Sequence, residues 1–239
     1  MRVLVFQHVP AEHPGVFRDF WAEAGYSWRS VDFDSGEPIP SFDDIDLLVA
    51  MGGPMDVWEE HQYPWLAAEK SAIRHWVRDL GRPFLGVCLG HQLLADALGG
   101  TVRLMARPEV GLTAINLTKA ASSDPLLAGL PASIEVFQWH GAEVVDLPEG
   151  AECLAYNPLC ANQMFRWGRF AYGLQYHSEI TDSTVNEWAE IPAYRVSLEK
   201  SLGAQGAAGL SALVASKLPS LQRTARVLSD NLIKQIARG

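Results

Sequence analysis

The chain of 239 residues has no apolar run approaching the ~20 residues that a membrane-spanning helix needs. Its start passes from Met1-Arg2 straight into Val3-Leu4-Val5-Phe6, without the charged, apolar and small-residue regions of a secretory leader, so no leader is expected. Cysteine is scarce. Three residues cannot all pair within one chain, and the reducing cytoplasm is the expected compartment. Basic residues are outnumbered, 19 Lys and Arg against 28 Asp and Glu, for a net charge of −9. Such a surface repels a phosphate backbone, so nucleic acid is not expected as a partner, and neither is a membrane. No glycine-rich loop ends in Lys-Ser or Lys-Thr, which argues against ATP chemistry in this chain. His8, His13, His61 and His75 stand at no ligand spacing from cysteines or carboxylates, so no metal site and no cofactor are expected.

What is present suits a globular α/β protein: 48% apolar and 20% charged residues, with no repeats or low-complexity tracts. Short apolar runs at 2–7, 27–33, 46–51 and 83–87 read as strands. Helical patterns stand between them at about 14–25 and 63–80, and another follows at 88–98 before Gly99-Gly100. Runs that are apolar throughout suit parallel strands covered on both faces. From 101 to 176 the pattern becomes strands in series, at 101–105, 113–117, 134–138, 163–167 and 171–176. The expectation is a three-layer α/β fold: an open, mostly parallel sheet with helices on both faces and an antiparallel extension.

Beyond Ile180 the chain turns helical, with Leu221, Ala225, Leu228, Leu232 and Ile236 forming one stripe and glycines 203, 206 and 209 breaking up the segment before it. Residues 192–239 carry a charge of +5 and the remainder −14, so this tail is expected to dock on its own acidic body. The organisation expected is one domain over 1–190 and a helical extension over 191–239 packed on it.

The sharpest feature is Gly86-Val87-Cys88-Leu89-Gly90, lying between an expected strand and an expected helix. A nucleophile on so tight a turn needs small neighbours two residues either side, and a helix N-terminus favours thiolate over thiol. The N–H of Leu89 then points toward an oxyanion formed at the target of the sulfur. Cys153 and Cys160 lack this context and read as structural. A cysteine nucleophile needs a base held by a third group. His177 and Glu179 stand two apart, and on a strand they would share a face. Gly52-Gly53-Pro54 follows the third strand, at the edge where open α/β sheets place their sites. His91 reads as packing beneath the site, and Trp58 and Trp139 as candidate pocket walls.

Together these segments resemble a class I, triad-type glutamine amidotransferase domain of the stand-alone, GMP-synthetase-like kind. The resemblance covers about residues 1–180, rests on Gly52-Gly53-Pro54, Gly86–Gln92 and His177-Ser178-Glu179, and extends to Trp139-His140-Gly141 and Glu109-Val110-Gly111. It implies a flavodoxin-like amidotransferase architecture. It also implies that Cys88 attacks the side-chain amide of glutamine, that His177 moves the protons and that Glu179 orients His177. Backbone N–H groups of Gly53 and Leu89 would form the oxyanion hole, while Gly52, Gln92, His140 and Gly141 would hold the glutamyl head. Ser178 stands where the family usually has proline. Ala142 stands where an Asp follows His-Gly, so a contact to the substrate's α-amino group is lost or moved to Glu143.

The reaction implied is hydrolysis of glutamine to glutamate and ammonia through a γ-glutamyl thioester, with ammonia passed to a separate synthase. The same residues suit a γ-glutamyl peptidase acting on glutathione-like compounds. A non-catalytic binding module and a redox protein of related fold are further readings, both weakened by the presence of Cys88, His177 and Glu179 together.

Overall fold

The computed structural model describes residues 1–237; positions 238 and 239, the end of the expected C-terminal extension, lie outside the described residues. Nine strands form one sheet. They are β1 (Arg2–Gln7), β2 (Ser27–Asp32), β3 (Leu47–Ala50), β4 (Phe84–Val87), β5 (Thr101–Leu117), β6 (Ser133–Asp146), β7 (Ala151–Tyr156), β8 (Met164–Trp167) and β9 (Ala171–Leu174). The order is β2-β1-β3-β4-β9-β8-β7-β5-β6. The first five strands of that order run parallel, and every pairing from β9 outward is antiparallel.

Helices α1 (Phe17–Glu23), α2 (Trp65–Arg74), α3 (Leu89–Ala97), α4 (Thr184–Ala189) and α5 (Pro192–Ile236) complete the fold. Alternation along the central strands explains the three layers. Val3, Val5, Leu47, Val49, Leu85 and Val87 pack on Phe17 and Trp21 of α1 and on Ala225, Leu228 and Leu232 of α5. Leu4, Phe6, Leu48, Ala50 and Phe84 pack on Leu66, Ile73 and Trp76 of the α2 segment and on Leu93 and Leu94 of α3. A third cluster joins Phe137 and Trp139 of β6 to Trp188, Tyr194, Leu198 and Leu210.

Some local expectations change. β5 and β6 form one long hairpin rather than separate short segments, because a bulge between Leu104 and Glu109 absorbs the Pro108 break. β7 carries no clean alternation and is formed by pairing with β8. α2 ends in a π-helical turn over His75–Asp79. In α5 only Gly203 leaves helical geometry, at φ 66° and ψ 172°, whereas Gly206, Gly209 and Pro219 stay within the helix. Packing of Leu210, Val214 and Leu221 on the body outweighs their low propensity. Two of the basic residues of α5 meet the body: Arg226 pairs with Glu23 and stacks over the Phe20 ring at 4.0 Å, and Lys217 lies 3.7 Å from Glu135. No helix among the described residues is long and apolar enough to cross a membrane.

Candidate active site

Strands β1, β3 and β4 end at one edge of the sheet, and the segments after them converge there with the loop after β9. Cys88 is the turn between β4 and α3. At φ 52° and ψ −103° it is the one non-glycine residue with positive φ among the described residues. Its N–H donates to the Leu174 carbonyl at 2.8 Å, tying the elbow to β9. Glycine is required on either side because backbone meets backbone: a Cβ on Gly86 would stand 2.3 Å from the Gly90 carbonyl oxygen, and one on Gly90 would stand 2.1 Å from that of Ala50. Burial pushes the Cys88 thiol up, and the charge and hydrogen bond of His177 oppose that rise.

His177 and Glu179 are brought together, but not by a strand. β9 stops at Leu174, and His177 touches the sheet through a single bridge, its N–H donating to Phe137 at 2.8 Å. The turn over 175–180 folds Glu179 back, so that His177 Nδ1 donates to Glu179 Oε1 at 2.7 Å. Both side chains are buried. The Trp188 ring stands edge-on to the imidazole at 4.5 Å. Burial lowers the affinity of His177 for its proton, but Glu179 and the Cys88 sulfur outweigh it and hold the imidazole well above its usual range. Nε2, the nitrogen facing away from Glu179, meets no nitrogen or oxygen partner.

Gly53 lies in the loop after β3, and Leu89 opens α3 directly after Cys88. Among the described residues neither N–H donates to another backbone group. A cavity of about 180 Å³ opens beside Gly53, whereas Leu89 is not among the residues that line it. Gly53, Cys88, Gln92, His140 and Gly141 line it, as does Trp139, while Gly52 and Trp58 do not. Gln92 Nε2 donates to Ala142 O at 3.2 Å and to Gln175 Oε1 at 3.1 Å. The His140 ring is held from behind, with Nδ1 at 2.9 Å from Ala142 O and Nε2 at 3.3 Å from Glu109 Oε2. Glu109 also accepts from Asn157 at 2.6 Å and Gln163 at 2.9 Å, bracing the cavity wall. His91 packs beneath as expected, against Gly173 and Phe165, with burial pushing it down to about 3 and so leaving it neutral. Glu143 points elsewhere, toward Arg103 at 3.4 Å, and the acidic residue that lines the cavity is Asp56.

Four residues escape the sequence motifs. Glu12, in the loop after β1, is buried beside the His177–Glu179 pair; each of the three presents an atom within 4.8 Å of the others, the one such group of possible cation ligands among the described residues. The 2.7 Å hydrogen bond already engages Nδ1 of His177 and Oε1 of Glu179. Glu12 accepts the hydroxyl of Tyr194, which projects from α5 and lines the cavity. Its second oxygen packs on Gly52, where a Cβ would stand 2.4 Å away. His8 and Glu69 lie behind the Gly52-Gly53 loop. The one signal for His8 and Glu12 is topological: every loop after a parallel strand reaches this edge.

Burial pushes the Glu12 carboxyl from its usual 4.5 up to about 7, with Glu179 adding to the rise and His177, Tyr194 and His8 opposing it. The folded protein therefore holds this proton more tightly than the unfolded chain does. The stability this contributes is full below the unfolded value and is lost as the pH rises through 7. Glu12→Gln removes the loss. Urea unfolding of the two proteins should show the variant gaining on its parent between pH 5 and pH 8 by on the order of 2 kcal/mol. An equal difference at both pH values contradicts a raised Glu12.

A cysteine elbow at the carboxyl edge of a parallel sheet, with a buried imidazole–carboxylate pair behind the sulfur, is the architecture of an α/β elbow enzyme. Residues 21–188 match the family described as glutamine amidotransferase class-I. The glutamine amidotransferase-like protein YfeJ of Salmonella typhimurium is 35% identical over 191 residues, which are 77% of this chain and 78% of that protein. A subunit of the glutamine-hydrolyzing GMP synthase of Saccharolobus solfataricus is 34% identical over 145 residues, 60% of this chain and 72% of that one. The crystal structure of a glutamine amidotransferase from Thermotoga maritima superposes with a TM-score of 0.86 at 31% identity, covering 98% of each chain. The chain belongs to the class-I glutamine amidotransferases, with their flavodoxin-like fold and the GMP-synthase-like relatives that the motifs implied. The family match ends before α5, whereas the likeness to the Thermotoga structure covers 98% of this chain and so extends into the C-terminal helix.

Proposed function

We propose that this protein hydrolyses the side-chain amide of glutamine to glutamate and ammonia, with Cys88, His177 and Glu179 as the catalytic triad. The observation that carries the reading is the strained Cys88 elbow, opening on a small cavity with the buried His177–Glu179 pair behind it. The Cys88 thiolate attacks the amide carbon, and the developing oxyanion takes the N–H groups of Gly53 and Leu89. His177 gives its proton to the departing nitrogen, which leaves as ammonia, and a γ-glutamyl thioester remains on Cys88. Water then loses a proton to His177 and attacks the thioester. The sulfur departs, glutamate forms, and the imidazolium–thiolate pair is restored. Glu179 holds Nδ1–H throughout, so that Nε2 does the proton transfer.

The glutamyl head rests on Gln92 and on the backbone of His140 and Gly141, while Gly52 shapes the loop from behind. Asp56 receives the α-ammonium group in place of the Asp that Ala142 replaces. Burial and neighbouring Glu59 push its carboxyl up to about 6, and a cation bound beside it relieves both effects. Asp56→Asn should raise KM for glutamine about 10- to 100-fold with a smaller change in kcat, the cost of one charge-assisted hydrogen bond. Glu143→Gln should leave KM near the parent value, and the reverse pattern would move the ammonium site to Glu143.

Ammonia passes to a separate synthase, as the likeness to part of a GMP synthase suggests. The three cysteines are free, which fits the cytoplasm. A γ-glutamyl peptidase would use the same triad, but the cavity of about 180 Å³ is below the range of sites for drug-sized ligands and favours the single amino acid. Parallel assays of ammonia released from glutamine and glutamate released from glutathione separate the two, with faster turnover of glutamine expected. Faster turnover of glutathione would replace this reading with the peptidase.

A further inference from the structure

Among the groups that the proposed triad chemistry does not use, one is buried against the loop supplying an oxyanion donor. His8, the first residue beyond β1, has both ring nitrogens engaged. Nδ1 lies 2.8 Å from the Gly52 carbonyl oxygen, and Nε2 lies 3.0 and 3.1 Å from the two carboxylate oxygens of Glu69. His8 and Glu69 are fully buried. The ring lies beside Phe33 and Trp65, at an interplanar angle of 18° to each, and those two rings stack on one another at 5.0 Å. It has little freedom to turn.

Both partners of His8 are acceptors, so the ring carries a proton on each nitrogen. The surroundings agree: burial pulls its proton affinity down, but Glu69, the Gly52 carbonyl and Glu12 outweigh it, leaving the imidazole above its usual value. The Gly52 carbonyl and the Gly53 N–H belong to one planar peptide, trans like all others described. In a trans peptide the two bonds point in opposite directions. A carbonyl fixed on His8 therefore aims the Gly53 N–H away from His8, on the side where Gly53 lines the cavity with Cys88. Gly53 passes close to both neighbours: a Cβ there would stand 3.0 Å from side-chain atoms of His8 and Leu89. A charged donor on the carbonyl also polarises the peptide and strengthens its N–H as a donor.

The geometry points to His8, held by Glu69, as the positioning residue of the oxyanion hole: it locks the Gly52–Gly53 peptide with its N–H toward the sulfur. This rests on the proposed role of Gly53. His8 touches no substrate atom. Its effect falls on steps that pass through an oxyanion and spares those that do not.

That contrast provides a test independent of glutamine. Acylation of Cys88 by p-nitrophenyl acetate passes through a tetrahedral oxyanion, whereas its alkylation by iodoacetamide does not. Both rates are followed on the Cys88 peptide by mass spectrometry, in the parent and in His8→Ala, His8→Asn and Glu69→Gln. His8→Ala should slow acylation about 100-fold, the cost of losing one oxyanion donor. Alkylation should stay within about threefold, since the nucleophile is untouched. His8→Asn places an amide N–H near the lost Nδ1–H and should recover about tenfold of the acylation rate, the worth of about 1.4 kcal/mol of hydrogen bonding. Glu69→Gln should fall between parent and His8→Ala. Should His8→Ala fail to fold, the Asn and Gln variants carry the same comparison.

On glutamine the same variants should lose kcat with KM held. Acylation and alkylation falling together, or acylation unchanged in a folded variant, would overturn the inference. A parent that acylates as described yet leaves glutamine intact would instead refute the proposed substrate and leave the role of His8 standing.

Discussion

Replacing Cys88 by serine is expected to lower glutamine hydrolysis by about 10⁴-fold or more while the protein stays folded. The side chain changes by one atom, so packing in the elbow is nearly preserved. Chemistry is not. The charge of His177 favours the thiolate, against the burial that pushes the thiol up. A hydroxyl in the same place starts far higher on the proton-affinity scale, and His177 has no comparable hold on it. The remaining activity would come from the oxyanion donors and the cavity alone. Ammonia release, corrected for any contaminating glutaminase with a Cys88→Ala preparation, reads the effect. Cys153→Ser and Cys160→Ser provide the comparison: both sulfurs lie outside the cavity lining, and burial pushes the Cys160 thiol up to about 12, which makes it inert as a nucleophile. Neither substitution should cost more than about twofold in kcat/KM. A serine at 88 with near-parent activity would show that the nucleophile lies elsewhere.

The second large effect is structural. Gly90→Ala adds a Cβ 2.1 Å from the Ala50 carbonyl oxygen, with the Ala50 carbonyl carbon 2.7 Å away. These are backbone atoms of β3 in the middle of the sheet. Relief requires α3 to lift from β3, and Leu89, Leu93 and Leu94 move with it out of a close-packed cluster. The expected cost is about 3–5 kcal/mol, at the high end for one added methyl group. For a chain of this length that corresponds to a Tm lower by about 10 °C. Cys88 opens the same helix, so the surviving folded fraction should also turn over more slowly. Gly209→Ala is the control. It lies in α5 with nothing within 4 Å of a new Cβ, and should raise stability by about 0.5–1 kcal/mol through helix propensity. Thermal unfolding of the two variants beside the parent tests the pair, and equal Tm values would show that the elbow does not depend on the close approach at Gly90.

How much of this is legible in the sequence follows from the range of the interactions. The elbow is local. Two glycines, a cysteine and the change from strand to helix all fall within five residues, and the structure has the strained turn that they imply. The parallel half of the sheet is legible for the same reason, since Val3–Phe6 and Leu47–Ala50 are apolar throughout only because both faces are covered. His177 and Glu179 are legible as a pair, although their setting differs from the expected one: a folded-back turn joins them, not a strand face. Other contacts form only when the chain has folded. His8 meets Glu69 across 61 positions, and Tyr194 meets Glu12 across 182. Glu69 lies on a helix whose pattern reads as ordinary amphipathic packing, and Tyr194 lies outside the segment matched to the family. The C-terminal helix thereby has a place that its charge alone did not suggest. It buries Ala225, Leu228 and Leu232 against the body beside the exposed pairs of Arg226 and Lys217, and its first turn also walls the cavity and holds the carboxyl beside His177.

The central claim is that Cys88 carries the glutamyl group. Incubation of the protein with glutamine, rapid acid quench and peptide mapping by mass spectrometry tests it directly. A γ-glutamyl thioester is expected on the peptide that contains Cys88, lost on treatment with hydroxylamine and absent from Cys88→Ser. An adduct on Cys153 or Cys160, or ammonia released with no thioester formed even when deacylation is slowed by His177→Asn, would contradict it.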